Sequence, residues 1–154
     1  MSMPKVGDPA PEFEVLDDQG RAVHLSDFKG KNIVLYFYPR ADTPGCTKEA
    51  CAFRDDYSAY DKAGVTILGV SPDSVKDQAK FKQKYDLPFS LLADEDHSIS
   101  STYGVWGLKK FMGREYEGVF RTTFLIDGQG VIRQIFEKVK PAQHSQEILA
   151  ALES

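Results

Sequence analysis

The hydrophobic residues of this chain form short apolar runs that are separated by amphipathic segments. Three runs of strand length are apolar almost throughout, at residues 33–38, 65–70 and 89–93. Runs of this kind are typical of strands that are buried on both faces of a sheet. Between them, apolar residues recur at helical spacing over residues 47–62, and the sequence S-P-D-S at residues 71–74 opens a second helical segment that runs to about residue 85. This β-α-β-α-β order predicts helices that cross a mainly parallel sheet.

The segments on either side of this pattern predict antiparallel strands. After an extended lead-in over residues 1–11, residues 13–16 and 21–25 flank the sequence D-D-Q-G and predict an N-terminal β-hairpin. Residues 122–127 and 131–139 flank G-Q-G and predict a second hairpin, and residues 141–152 predict a closing amphipathic helix. The fold class is therefore α/β, with a central mixed sheet flanked by helices and a hairpin added at the N-terminus.

Two segments between the third core strand and the second hairpin are less regular. A short helix is predicted within residues 94–103. Residues 104–118 are interpreted as a long irregular loop, which carries Trp106, Phe111, Met112 and Tyr116. A long aromatic loop in a compact domain is often functional, but a flap that covers the core fits the pattern equally well.

Length and charge narrow the class of protein. The 154 residues suffice for one domain with its own core, so we expect residues 1–154 to form a single domain. The net charge of −4 argues against nucleic acid or acidic membranes as general partners. No apolar run reaches the roughly 18 residues that a membrane span needs, and no basic segment followed by an apolar one begins the chain. These features predict a cytoplasmic protein without a membrane partner.

Both cysteines lie in the segment that joins the first core strand to the first helix, P-R-A-D-T-P-G-C-T-K-E-A-C-A-F-R-D at residues 39–55. Thr43 followed by Pro44 predicts a helix start, because Pro44 has the fixed φ of a first helical residue and Thr43 can cap free N–H groups. Cys46 is therefore expected in the first helical turn. Free backbone donors and the positive end of the helix dipole favour a thiolate there, and the thiolate is the nucleophilic form of cysteine.

The spacing of Cys46 and Cys51 restricts what the pair can do. In an intact helix, Cα atoms five residues apart are about 8.7 Å from each other. A disulfide needs less than about 7 Å. The two thiols can therefore bond only if the helical turn unwinds, which suits a transient disulfide that resolves an oxidised Cys46.

Two other interpretations of the cysteines stay open at this point. Free cysteines are often small buried hydrophobic residues, and this interpretation applies more readily to Cys51 than to Cys46. A metal site would need further ligands, but the C-x4-C spacing and the scattered His24, His97 and His144 do not match zinc sites. No metal and no cofactor is therefore predicted.

The cysteine segment resembles the peroxiredoxins, specifically the bacterioferritin-comigratory or peroxiredoxin Q type. The P-x-x-x-T-x-x-C pattern of that family is present at Pro39, Thr43 and Cys46. The extension T-P-G-C-T-x-E-A-C-x-F-R-D runs through Cys51 to residue 55. The sequences G-V-W-G at residues 104–107 and R-T-T-F-L-I-D at residues 121–127 also fit, so the resemblance covers nearly the whole chain.

The resemblance implies a thioredoxin-like fold and a thiol-dependent peroxidase. It implies that Cys46 attacks the peroxide and that Cys51 resolves the sulfenic acid as an intramolecular disulfide. Thr43 and Arg121 would hold the thiolate and the peroxide, and Pro39 would shield the site. An arginine at the opening of an antiparallel strand can face the Cys46 turn, because sites in such sheets gather at strand ends.

The expected substrates are hydrogen peroxide and organic hydroperoxides, and the expected reductant is thioredoxin or a similar dithiol. A monomer, or at most a weak dimer, is expected. Two other classes of protein compete with a peroxidase. A protein disulfide oxidoreductase predicts C-x-x-C, which the chain lacks. A non-catalytic binding or holdase module with a thioredoxin fold is disfavoured by the complete set of Pro39, Thr43, Cys46 and Arg121.

Overall fold

The computed structural model describes residues 3–152, and its main feature is a seven-stranded mixed sheet beside a separate two-stranded hairpin. The strands are β1 Glu14–Asp17, β2 Ala22–His24, β3 Asn32–Phe37, β4 Val65–Ser71, β5 Ser90–Ala93, β6 Trp106–Phe111, β7 Arg114–Val119, β8 Thr122–Ile126 and β9 Ile132–Phe136. The helices are α1 Pro44–Asp55, α2 Tyr57–Lys62, α3 Val75–Tyr85, α4 Ser98–Thr102 and α5 His144–Leu152. A short 3₁₀ turn, Leu25–Phe28, follows β2. The first two residues of the predicted lead-in lie outside the described residues.

The order of strands in the large sheet is β2-β1-β5-β4-β3-β8-β9. The central strands β3, β4 and β5 are parallel, and the strands added at both edges run antiparallel to their neighbours. The N-terminal hairpin β1–β2 extends the sheet next to β5. The predicted α/β class, with a mixed sheet and an N-terminal hairpin, is therefore confirmed.

The sheet separates two hydrophobic cores, because successive side chains of a strand point to opposite faces. On one face, Tyr36 of β3 packs with Phe53 of α1 and Tyr60 of α2. On the other face, Phe37 packs with Tyr103 and with other residues of the second core. Both faces of β3 are thus buried, as its continuous apolar sequence predicted.

The prediction of a long loop at residues 104–118 was wrong. This segment forms the antiparallel hairpin β6–β7, in which Trp106 lies opposite Val119 at one end and Phe111 lies opposite Arg114 at the turn. A two-residue turn joins the strands, in which Met112 and Gly113 have φ values of 51° and 78°. Such a turn needs positive φ at both positions, and Asn-Gly or Asp-Gly is its usual sequence signal. Because Met112 occupies the first position, the signal was missing from the sequence.

Residues 47–62 form two helices and not the single helix that was predicted. The helix begins at Pro44, as the Thr43-Pro44 pair indicated, but it ends at Asp55, and α2 starts at Tyr57. Asp56 between them has φ −96° and ψ 7°, and its carboxylate accepts hydrogen bonds from α5. The break is thus stabilised by a contact with the far end of the chain, which local periodicity does not reveal.

Smaller differences concern the ends of the last elements. The final strand ends at Phe136 and not at residue 139, and the final helix begins at His144 after a turn that includes Pro141. The predicted short helix within residues 94–103 is present as α4. In the part of the chain that the structure describes, no helix combines the length and the apolar character needed to cross a membrane.

Candidate active site

Cys46 and Arg121 meet at one edge of the sheet because of the directions of two neighbouring strands. The helix that carries Cys46 follows the carboxyl end of β3. The antiparallel neighbour β8 begins at the same edge, where Thr122 pairs with Phe37. Arg121 directly precedes β8, and its Nη2 donates a hydrogen bond to Cys46 Sγ at 3.3 Å. Arg121 therefore faces the turn that holds Cys46.

Cys46 is the third residue of α1 and is 1% exposed. The first helical hydrogen bond runs from the N–H of Thr47 to the carbonyl of Thr43, at 2.8 Å. The N–H groups of Gly45 and Cys46 precede this bond, so they are available to a ligand or an anion. Together with the helix dipole, they favour negative charge on the Cys46 sulfur.

Gly45 allows the arginine to approach the helix. A Cβ atom at this position would lie 3.3 Å from Arg121 Nη2 and 3.8 Å from Cγ of Pro141. These distances show that Arg121 and the loop before α5 both pack closely against the first turn of α1. A larger side chain at residue 45 would displace the guanidinium from the sulfur.

Thr43 and Pro39 belong to the loop between β3 and α1. The hydroxyl of Thr43 donates to the carbonyl of Arg40 at 2.9 Å and accepts no hydrogen bond from the helix. The expectation that this hydroxyl caps the helix was therefore wrong, because its bond within the loop turns it away from the helical N–H groups. Pro39 is half-buried at the start of the same loop.

Glu49 is the site residue that the sequence reasoning missed. It is fully buried one turn after Cys46, and its Oε1 accepts a hydrogen bond from Arg121 Nη1 at 2.7 Å. Burial raises the pKa of Glu49 to about 7, although the charge of Arg121 opposes this shift. Its second oxygen, Oε2, has no hydrogen-bond partner among the described residues. The only sequence signal was an acidic residue three positions after Cys46, on the same helical face.

Arg121 thus binds Cys46 and Glu49 with two different nitrogens. Burial lowers the pKa of the Arg121 guanidinium, but the charges of Glu49 and Cys46 more than offset this effect and raise it. Arginine keeps its charge at any ordinary pH, and its planar group can bind two acceptors at once. It is therefore suited to hold both a sulfur anion and a carboxylate.

Cys51 is a free thiol that is half-buried on the same helix as Cys46. Burial raises the pKa of the Cys51 thiol, and the nearby charge of Arg54 opposes this only in part. Cys51 therefore keeps its proton at neutral pH. Of the two thiols, Cys46 has the surroundings that favour a nucleophile, because it lies at the helix N-terminus beside a guanidinium.

A cavity of about 400 Å³ adjoins Arg121 and is open to solvent. Its walls come from the segment before β8, from Val139 and from other residues after β9. It offers space for a small substrate beside the guanidinium. A second cleft, of about 440 Å³, lies near Phe28 and Pro88 at the opposite ends of the strands, away from Arg121. Neither cysteine lines either space. Among residues 3–152 there is no cluster of three or more His, Cys, Asp or Glu residues suited to a metal ion.

Comparison with known proteins identifies the family. The sequence pattern of the AhpC/TSA family matches residues 6–135. A bcp-type peroxiredoxin homologue from Coxiella burnetii is 52% identical over 148 residues, which are 96% of this chain and 98% of that protein. Peroxiredoxin Bcp of Bacillus subtilis is 49% identical over 148 residues, 96% of this chain and 94% of its own length. The chain therefore belongs to the AhpC/TSA family.

A solved structure supports the same conclusion at the level of the fold. The bacterioferritin comigratory protein of Xanthomonas campestris, whose structure was described in terms of its alkyl peroxide reduction activity, superposes with a TM-score of 0.86. It is 37% identical and covers 92% of this chain and 90% of its own. The fold is thioredoxin-like, and the chain is a peroxiredoxin of the bacterioferritin-comigratory type. Its activity is that of a thiol-dependent peroxidase, which consumes a peroxide and a thiol reductant.

Proposed function

We propose that Cys46 is the nucleophile of this peroxidase. The observation that carries the proposal is the 3.3 Å hydrogen bond from Arg121 to Cys46 Sγ at the N-terminus of α1. The Cys46 thiolate attacks the distal oxygen of a hydroperoxide and breaks the O–O bond. The sulfur becomes a sulfenic acid, and the other oxygen takes a proton and leaves as water or an alcohol.

The surrounding groups stabilise the reacting atoms. Arg121 holds the thiolate and then the oxygen on which negative charge develops. The free N–H groups of Gly45 and Cys46 are aligned to bind a peroxide oxygen. The hydroxyl of Thr43 contacts the peroxide, and its bond to the Arg40 carbonyl sets its direction. Pro39 shields the site from water.

Cys51 resolves the sulfenic acid in the second step. Its thiol loses a proton and attacks Cys46 Sγ, so that an S–S bond forms and the hydroxyl group leaves as water. Both residues lie on α1, where the helix keeps their Cα atoms about 8.7 Å apart. The first turns of α1 therefore unwind before the disulfide closes.

The cycle ends when an external dithiol gives two electrons to the disulfide, and we assign this step to thioredoxin or a similar dithiol protein. Hydrogen peroxide and organic hydroperoxides are the substrates. The alkyl peroxide activity named for the Xanthomonas campestris protein supports the organic class, and so does the open cavity beside Arg121. Residues 1–154 act as a single domain and as a cytoplasmic monomer, with weak dimerisation at most.

The test compares Cys46→Ser and Cys51→Ser with the wild type. Peroxide consumption is followed with thioredoxin and its reductase, and separately with glutathione and glutaredoxin. We expect Cys46→Ser to lose turnover below about a tenth of wild type, because a serine hydroxyl is a far poorer nucleophile. Turnover above that level would refute the role of Cys46. Turnover with glutathione and glutaredoxin but none with thioredoxin would refute the assignment of the reducing step to thioredoxin.

A further inference from the structure

Lys109 extends from the hairpin β6–β7 towards the Cys46 site and belongs to no motif that the sequence revealed. Its Nζ donates to the carbonyl oxygen of Val119 at 2.8 Å, two residues before Arg121. Nζ also lies 5.8 Å from the ring centre of Phe120. A Cβ atom on Gly118 would lie 3.2 Å from Lys109 Cδ, so the side chain runs closely along β7. The ammonium group is thus held at the strand that leads into the site.

Among residues 3–152, the ammonium group of Lys109 has no carboxylate partner. No Asp or Glu oxygen within the described residues lies within ion-pair distance of its Nζ, whereas the neighbouring Lys110 pairs with Glu115 at 3.7 Å. The side chain of Lys109 is half-buried, and an unpaired buried charge is costly. Burial and the charge of Arg121 lower the pKa of Lys109, and Cys46 opposes this shift. Because Nζ is held at the Val119 carbonyl, two residues before Arg121, its charge acts on the site.

The known charges of the site do not balance without a second cation. Arg121 is already paired with Glu49 at 2.7 Å. When Glu49 is ionised, this pair has no net charge, and a thiolate on Cys46 adds a negative charge that the N-terminus of α1 offsets only in part. A buried negative charge that is only partly compensated is unfavourable, so a second cation near the pair would stabilise the site.

We propose that Lys109 is a positioning residue of the peroxidase site, whose ammonium compensates the negative charge that the Cys46 thiolate adds beside the Glu49–Arg121 pair. With Lys109 included, two positive and two negative side chains share the site. The inference rests on the proposed role of Cys46 as the nucleophile.

The other titratable groups around the site do not supply this charge. Burial raises the pKa values of Tyr36 and Tyr38 well above 10, so both phenols are neutral when the thiolate forms. Burial lowers the pKa of His144, which faces Arg121 from α5, so this imidazole is neutral at pH 7. Lys109 therefore remains as the second cation.

The test uses three single variants in the Cys51→Ser background. Lys109→Gln removes the charge and retains an N–H donor for the Val119 carbonyl, whereas Lys109→Arg retains the charge. Lys110→Gln is the matched control, because it removes an equal charge from the adjacent, exposed position. Thiolate absorbance is followed against pH, and the second-order rate with hydrogen peroxide is measured over the same range.

We expect the midpoint of the thiolate titration in Lys109→Gln to rise by about half to one pH unit. Below the wild-type midpoint its rate should fall roughly three- to tenfold, and the two rates should converge at high pH, where both thiols are ionised. Lys109→Arg should keep a midpoint and a rate close to those of the wild type, and Lys110→Gln should match the wild type.

A compensating variant separates charge balance from a merely structural role. Adding Glu49→Gln to Lys109→Gln removes one negative charge as well, so the midpoint should return towards the wild-type value. An unchanged midpoint in Lys109→Gln, or a rate that falls by the same factor at every pH, would overturn the proposal. Full turnover by Cys46→Ser would instead overturn the assignment of the nucleophile.

Discussion

Cys51 follows Cys46 by five residues on a single helix, and both are free thiols. The helix is anchored just beyond this pair by Phe53, which is fully buried. The centre of its ring lies 4.7 Å from the ring centre of Tyr36 and 6.0 Å from that of His144. The residues before Phe53 lie in the N-terminal part of α1, which is held mainly by the hydrogen bonds of Arg121 to Cys46 and Glu49. Unwinding that brings the thiols together should therefore start at Pro44 and stop at Phe53.

The first prediction concerns this unwinding. On oxidation, amides of residues 47–52 should lose protection from hydrogen exchange, because a disulfide needs Cα atoms closer than about 7 Å. Amides from Phe53 through α2, and those of α5, should stay protected. Hydrogen exchange with mass spectrometry on the reduced and oxidised wild type measures both parts.

Peroxide-treated Cys51→Ser is the control, because it contains oxidised Cys46 but cannot close the disulfide. Equal protection of residues 47–52 in reduced and oxidised wild type would show that α1 does not unwind. Loss of protection that continues to residue 62 would show that Phe53 does not anchor the helix.

The second prediction concerns the fate of oxidised Cys46 when Cys51 is absent. Cys51→Ser should reduce one equivalent of peroxide and then stop as a sulfenic acid, because no thiol on α1 can condense with it. Further peroxide should convert Cys46 to the sulfinic acid more readily than in the wild type. Mass analysis during peroxide titration distinguishes these states. Undiminished thioredoxin-dependent turnover would mean that Cys51 serves only as a buried hydrophobic residue.

The third prediction concerns the shape of the Arg121 side chain. Arg121→Lys keeps the charge, but an ammonium cannot reproduce the two directed bonds to Cys46 and Glu49. We expect the second-order rate with peroxide to fall by about 10²-fold, the usual scale for losing one donor to a developing oxyanion. Stopped-flow kinetics measure this rate.

Arg133→Lys is a matched control, since Arg133 pairs with Asp127 near the surface, away from both cysteines. Exposed ion pairs contribute little to stability, so this variant should keep the wild-type rate. If Arg121→Lys stayed within about twofold of wild type, the paired bonds of Arg121 would not contribute to catalysis.

The fourth prediction follows from the raised pKa of Glu49. Burial raises the pKa of Glu49 to about 7 from its ordinary value of 4.5. Between these two values the native protein retains a proton that the unfolded chain releases, so the contribution of Glu49 to stability is lost as the pH rises through this window. Glu49→Gln removes this titration and keeps an acceptor for Arg121.

The free energy of unfolding of the wild type, relative to that of Glu49→Gln, should therefore decline from about pH 5 to about pH 8. Guanidinium unfolding of both reduced proteins across this range gives the difference. A difference that stays constant with pH would show that the native and unfolded states hold the Glu49 proton equally.

Local sequence patterns were enough to predict the elements that depend on neighbouring residues. The apolar run of β3 predicted a strand buried on both faces, and Thr43-Pro44 predicted where α1 begins. The place of Cys46 in the first helical turn followed from these local signals. The five-residue spacing of the two cysteines likewise restricted their pairing, because helix geometry depends only on position along the chain.

Which distant side chains share the site depends on how the strands pair in the folded chain. Arg121 contacts Glu49 and Cys46, which lie 72 and 75 residues earlier in the sequence. The antiparallel pairing of β8 with β3 creates these contacts. Lys109 reaches the site through a hairpin whose turn, at Met112, has no sequence signal. The charge state of Glu49 is also a tertiary property, because its pKa depends on burial by residues that are far away in the sequence.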